Sequence, residues 1–469
     1  REAAELLEAA GAPPARVAHQ LLEGDRAADA VPWLERAARA ARDVAAYADA
    51  LGFAETALRH ADEAARRELL PLRADLLFAT GDPAAATAYE EAIAAGARGA
   101  AELRTRQARA LLAAGDVAAA TATLAGVRTR SKADRARLAV TGGIVAWFRG
   151  DLEAAQRGIE EGLPLAREAG LVQETMEATQ LRACLAHSKG DWGGRVQSDL
   201  VETLRHSESA ALVFDAHVCL AEWVLTSGEP YDELAEAARE ILAAAERSGA
   251  RRAHAFAATV LGEAELLAGR VQIAAGHLRE AAEISREIGT HAGESLACLR
   301  LAEATLADGA GDEAARLLDE SIGLARGSTL PDHLLYLAFA PKIRATADPE
   351  EALALVDEAE GLLDIRPRCP FCPIGFWVAG AIACARAGRL ERSRAYLDAV
   401  ERTALLWPGG PWPAAAAEAR AELALAQGAH EDAARLLTEA AAGFARAGQP
   451  LAAARVEEAA RKVPGRPAA

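Results

Sequence analysis

Apolar residues recur along the chain at three- and four-residue steps, the spacing that places them on one face of an α-helix. In one late run the stripe is Leu390, Ala395, Leu397 and Val400, with small departures from that spacing. The runs are cut by phrases of one design: an apolar stretch, a glycine, a polar residue, then an alanine-rich stretch. LLFATGDPAAATA, ALLAAGDVAAATA, VAWFRGDLEAAQ, LAHSKGDWGGRV, AELLAGRVQIAAGHL, IACARAGRLERSRAYL and LALAQGAHEDAARLL are its clear copies. The turns fall at Gly81, Gly115, Gly150, Gly190, Gly228, Gly269, Gly311, Asp348-Pro349, Gly388 and Gly428. Successive spacings are therefore 34, 35, 40, 38, 41, 42, 37, 40 and 40 residues. Strand-type runs of Val, Ile, Thr and Tyr are almost absent.

Each part of the phrase has a physical reason. Glycine just past a helix can take the left-handed conformation that closes the last turn. The aspartates at 82, 116, 151, 191 and 312 are placed to cap the following helix by accepting from its free N–H groups. Alanines after the turn let the second helix lie close against the first. A lone hairpin cannot bury its apolar stripe, whereas stacked hairpins can. A period near 34 is tetratricopeptide-like (TPR-like), and periods near 40 are the same design with longer helices. The expected fold is all-α, a TPR-like α-solenoid of about ten helical hairpins wound as a right-handed superhelix.

Composition agrees and narrows the function. The chain is 51% hydrophobic but only 4% aromatic, which suits small side chains between closely packed helices. Its formal charge of −17 argues against direct nucleic-acid binding, which needs Lys and Arg to displace counterions from phosphates. The best basic cluster, Arg128, Arg130, Lys132, Arg135 and Arg137, reads as a solvated loop and helix face. No apolar run has the length of a membrane span and no signal peptide opens the chain, so no membrane partner is expected. Six cysteines, mostly within helical runs, suit reduced thiols and a cytoplasmic location. A first residue of Arg1 rather than Met suggests an excised or processed segment.

Several further phrases stand out: REAAELLEAAGAPPARVAHQLL at the start, AVPWLERAARAA at 30–41, LGEAELLAGR with HLREAAEISREIG, CPFC with IACARAG, and FARAGQPLAAAR. Together they resemble the helical-repeat region of large actinobacterial ATP-binding transcriptional regulators of the STAND, MalT-like and LuxR type. In that architecture an ATPase module precedes the repeats and a DNA-binding helix-turn-helix often follows them. The resemblance implies that residues 1–27 are a helical segment after an absent ATPase module, 28–462 the array, and 463–469 a tail. It implies intramolecular ATPase and DNA-binding partners in a parent chain. The chain departs from the pattern in lacking a G-x-x-x-x-G-K-[ST] phosphate loop and a DNA-reading helix after KVPGRPAA. What it would retain is a sensor and interaction scaffold. A free-standing TPR adaptor is the alternative.

Candidate chemistry is sparse. Cys369 and Cys372 form a C-x-x-C pair at a helix start and allow three readings. A zinc site would have to recruit His333 and Asp364, because Cys384 lies three helical turns on. A redox pair would exploit the positive helix end, though the βαβ context of a thioredoxin-like site is missing. A structural start to a helix over Ile374–Ala387, with Pro373 in its first turn, is the third. His217 and Cys219 read as ordinary helix positions, and the acidic run Asp232–Glu240 as a solvated face. No catalytic residue, metal ligand or cofactor is expected. The better site is the concave groove of the array, receiving a protein partner or small effector. Its candidate contact residues are Trp147, Trp192, Trp223, Trp377, Trp407 and Trp412, with Phe214 and Phe376 beside them.

Overall fold

The structure, a computed structural model, describes residues 2–44, 46–189, 221, 222, 224–328, 330–363, 372–405, 407 and 409–464. Every regular element among them is a helix, and they divide between two compact units. The first unit takes in Arg1–Arg182 and Ile241–His254. It contains α1 (Glu2–Ala9), α2 (Pro14–Glu23), α3 (Ala27–Asp43), α4 (Tyr47–His60), α5 (Glu63–Thr80) and α6 (Ala85–Ala94). It continues through α7 (Ala100–Ala113), α8 (Val117–Leu124), α9 (Lys132–Phe148), α10 (Leu152–Glu168) and most of α11 (Val172–Lys189). The second half of α12 (Tyr231–Ser248) counts with it.

The second unit holds the first half of α12 and most of α13 (Arg251–Leu267), then α14 (Val271–Glu287), α15 (His291–Ala307), α16 (Gly311–Arg326) and α17 (Pro331–Ala345). Then come α18 (Pro349–Leu362), α19 (Ile374–Arg386), α20 (Leu390–Ala404), α21 (Trp412–Ala426), α22 (His430–Arg446) and α23 (Pro450–Arg461). This is the expected all-α array of TPR-like hairpins, in which an odd-numbered helix A is followed by an even-numbered helix B, as in α5–α6, α9–α10 and α15–α16. Within each unit successive A helices pack on one another, as in α5–α7–α9 and α15–α17–α19–α21, so in each the A helices form one layer and the B helices lie outside it.

The sequence explains these elements locally. Asp116 and Asp151 accept from the N–H groups of Ala119 and Ala154 and cap α8 and α10 as expected. Asp348 does the same for α18, and Asp62 and Ser131 cap α5 and α9. Asp82 instead accepts from Ala84 in the turn before α6, and Asp312 lies inside the first turn of α16. The turn expected at Gly311 is made by Gly309, whose φ is +86°, while Gly311 opens the next helix. Glycines with positive φ also close the B-to-A turns, at Gly170, Gly249, Gly289 and Gly448. On α20 the buried stripe is Ser393, Tyr396, Leu397 and Val400, and Ala395 faces outward.

The core is thin and made of small side chains. Leu70, Ala74, Leu77, Ala88, Tyr89 and Ala92 pack between α5 and α6, and Leu278, Leu301 and Ala304 between α14 and α15. α9 and α10 approach closely at two glycines, Gly143 and Gly158. A Cβ on Gly158 would lie 2.7 Å from the Ala139 carbonyl and from the Gly143 Cα, so only glycine permits that approach.

Candidate functional site: the inner face of the hairpin array

Both units carry ionised side chains on their A helices. In the first unit Arg109 of α7 pairs with Glu177 of α11 and approaches Glu174. Arg137 of α9 joins Glu174 to Glu102 and Asp134. Arg106 links Glu102 to Asp75 of α5, whose carboxylate also accepts from the Tyr89 hydroxyl at 2.7 Å. Burial raises the Glu177 carboxyl above its ordinary range, against the pull of Arg109.

The second unit has two such clusters. Arg300 of α15 contacts Glu222, Glu263 at 2.7 Å and Glu303 at 2.7 Å. Glu222 and Glu263 are both buried, and burial pushes both carboxyls upward. At Glu263 burial outweighs the pull of Arg300, and the neighbouring Glu222 adds to the upward shift. In the second cluster Arg344 of α17 donates through Nη2 to both oxygens of Glu418 on α21, at 2.9 and 3.2 Å. Arg455 of α23 grips the same carboxylate with both terminal nitrogens. Arg386 of α19 pairs with Glu422 through Nε and Nη2. Burial alone would raise Glu418, but the two guanidiniums overcome it and hold its carboxyl down to about 2.

These bonds report curvature. Arg109 to Glu177 and Arg344 to Glu418 each skip the A helix between them, so this layer bends tightly enough for side chains two hairpins apart to meet. The outer B layer is laced differently. Arg286 to Glu320, Arg326 to Glu358 and Arg392 to Asp357 run between neighbouring B helices. The side chains of Arg344 and Arg392 are similarly exposed, at 28% and 31%.

The second unit also closes on itself. Gln449, at the start of α23, donates to the Tyr231 hydroxyl at the start of α12. A Cβ on Gly410 would lie 2.2 Å from the Thr226 carbonyl, and one on Gly228 2.7 Å from the Gly409 carbonyl. Beside this seam lies a cleft of about 610 Å³ lined by Tyr231, Asp232, Arg270, Gly448, Pro450 and Glu457, among others.

The residues singled out from sequence are distributed unevenly. Cys372 is buried, its thiol 2.9 Å from His333 Nδ1; Cys369 and Asp364 lie outside the described residues. Cys384 is fully buried in α19, and burial raises its thiol to about 11. Trp147 is buried and meets Phe148 edge-on at 5.1 Å, and Trp407 is buried in its loop. Trp377 and Trp412 are half-buried, and Phe376 packs between Tyr336 and Tyr396. Trp192, Trp223, Phe214, His217 and Cys219 lie outside the described residues. Of the basic cluster, Lys132, Arg135 and Arg137 pair with Glu168, Glu161 and Glu102. Among the described residues no group of three or more His, Cys, Asp or Glu could hold a metal, and no helix is long and apolar enough to cross a membrane.

No family model matches the chain, and no curated protein matches it. Solved helical-repeat structures do. A Rap protein complexed with competence and sporulation factor aligns with a TM-score of 0.39 and 10% identity, over 77% of this chain and 97% of that one. A STAND protein with a tetratricopeptide repeat sensor from Pyrococcus horikoshii aligns with a TM-score of 0.32 and 12% identity, over 80% of this chain. The chain spans about half of that protein, 52%. Yeast Tom70 aligns with a TM-score of 0.31 and 14% identity, over 92% and 95% of the two chains.

Proposed function

We propose that this chain is a non-enzymatic TPR-like recognition scaffold whose A-helix face receives a protein partner or small effector. The observation that carries this reading is the ionic lining. Buried ion pairs are poor stabilisers compared with apolar packing. A helical array that needed only to stand up would fill those positions with alanine and leucine, as it does elsewhere. Paired charges held at fixed positions on the A-helix face instead make a preorganised surface for polar recognition. The half-buried Trp377 and Trp412 are candidate apolar contacts for the same ligand.

In the fuller form of the proposal, residues 28–462 are the sensor of a cytoplasmic ATP-dependent LuxR-type regulator and 1–27 the connection to its ATPase module. The phrases set out above support it. Determining the complete reading frame tests it. A phosphate loop on the N-terminal side and a helix-turn-helix on the C-terminal side are the expected result. A frame with neither makes the chain a free-standing adaptor.

A further inference from the structure

We propose that the inner face of the second unit contains an oxyanion subsite, for a carboxylate or a phosphate group, formed by Arg344, Arg386 and Arg455. The proposal rests on the recognition reading and adds the ligand chemistry at that face. Three guanidiniums from α17, α19 and α23 gather around two carboxylates, Glu418 and Glu422, which leaves one positive charge in excess. Both carboxylates lie beneath the arginines, with side chains 4% and 12% exposed, while those of Arg386 and Arg455 are 45% and 48% exposed. The side of the cluster that meets water is therefore cationic.

The hydrogen bonds leave donors over. Arg344 uses only Nη2, and its Nε and Nη1 meet no protein acceptor among the described residues. Arg386 uses Nε and Nη2 and keeps Nη1. Arg455 uses Nη1 and Nη2 and keeps Nε. Glu418 is already gripped by two guanidiniums and has little left to offer. Planar guanidinium forks fixed by such pairs are suited to an incoming carboxylate or phosphate. The crowding has an electrostatic sign as well: burial lowers the Arg344 guanidinium despite Glu418, and Arg455 and Arg386 lower it further. An anion would relieve that repulsion.

The test is isothermal titration calorimetry of the whole chain with inorganic phosphate and, separately, with succinate, against sodium chloride of matched ionic strength. Saturable one-site binding of at least one probe is expected. Phosphate alone binding assigns a phosphate group, and succinate alone a carboxylate. Arg386→Gln leaves both contacts of Glu418 in place and should weaken the titration at least tenfold. Arg386→Lys should recover part of it, and Arg392→Gln on the outer ladder should change nothing. No heat beyond the chloride control, or equal binding by parent and Arg386→Gln, overturns the subsite. Such a failure in a frame that carries the phosphate loop removes the subsite and leaves the regulator reading in place.

Discussion

Glu418 and Glu263 both lie buried on A helices, and their carboxyls are shifted in opposite directions because their partners differ. Glu418 has two arginines to itself, whereas Glu263 shares Arg300 with Glu222 and Glu303. A carboxyl held below its ordinary value stabilises the fold above that value, and the contribution is lost as pH falls through the folded one. For Glu418 the window runs from about 4.5 down to about 2. The urea midpoint should fall across it, and Glu418→Gln should flatten the dependence while costing about 1–2 kcal/mol near neutral pH, because the partly exposed Arg344 and Arg455 lose their shared carboxylate. Glu263 has the reverse sign: its stability contribution is present below the ordinary glutamate range and declines as pH rises through the raised folded value. Glu263→Gln should therefore be neutral or stabilising at pH 7.5 in the same urea assay. The thiols give a third check. Burial raises Cys298 to about 12 and Cys384 to about 11, so neither should alkylate with iodoacetamide at pH 8 until the chain is unfolded. Rapid native labelling of either, read by peptide mass mapping, would contradict their placement.

At the level of the helix, close packing depends on residues without side chains. Gly158→Ala should drive α9 and α10 apart and cost about 2 kcal/mol, measured by thermal melting. A cost near zero would show that the two helices do not approach as described. This level was the most legible in the amino-acid pattern. The turn glycines and the caps at Asp116 and Asp151 act within a few residues of themselves, so their spacing reveals them. Errors came where two small residues compete: GAG at 309–311 offers two glycines, and the left-handed turn falls on the first. On α20 the serine at 393 is buried in place of Ala395 because its hydroxyl donates to the Ala381 carbonyl. The inner ion pairs were illegible for a different reason. Arg344 and Glu418 are 74 residues apart, and one chain carries no signal that joins them. Arg344, next to the buried Ile343 on α17, was the available clue.

For the whole molecule, two units with separate cores predict urea unfolding in more than one step. Glu418→Gln should shift the step belonging to the second unit and leave the other in place. A single transition moved as a whole by that substitution would show that the units unfold together. The seam at Gly228, Gly409 and Gly410 carries a further consequence. An open stack of hairpins can gain or lose a copy at either end or in the middle, because each copy touches only its neighbours. Between Thr226 and Gly410 that freedom is gone: inserting or deleting one hairpin would carry Gly410 away from the Thr226 carbonyl it approaches. The number of hairpins in this stretch is then a fixed dimension of the protein, and related chains should conserve its length even where their loops and surfaces diverge.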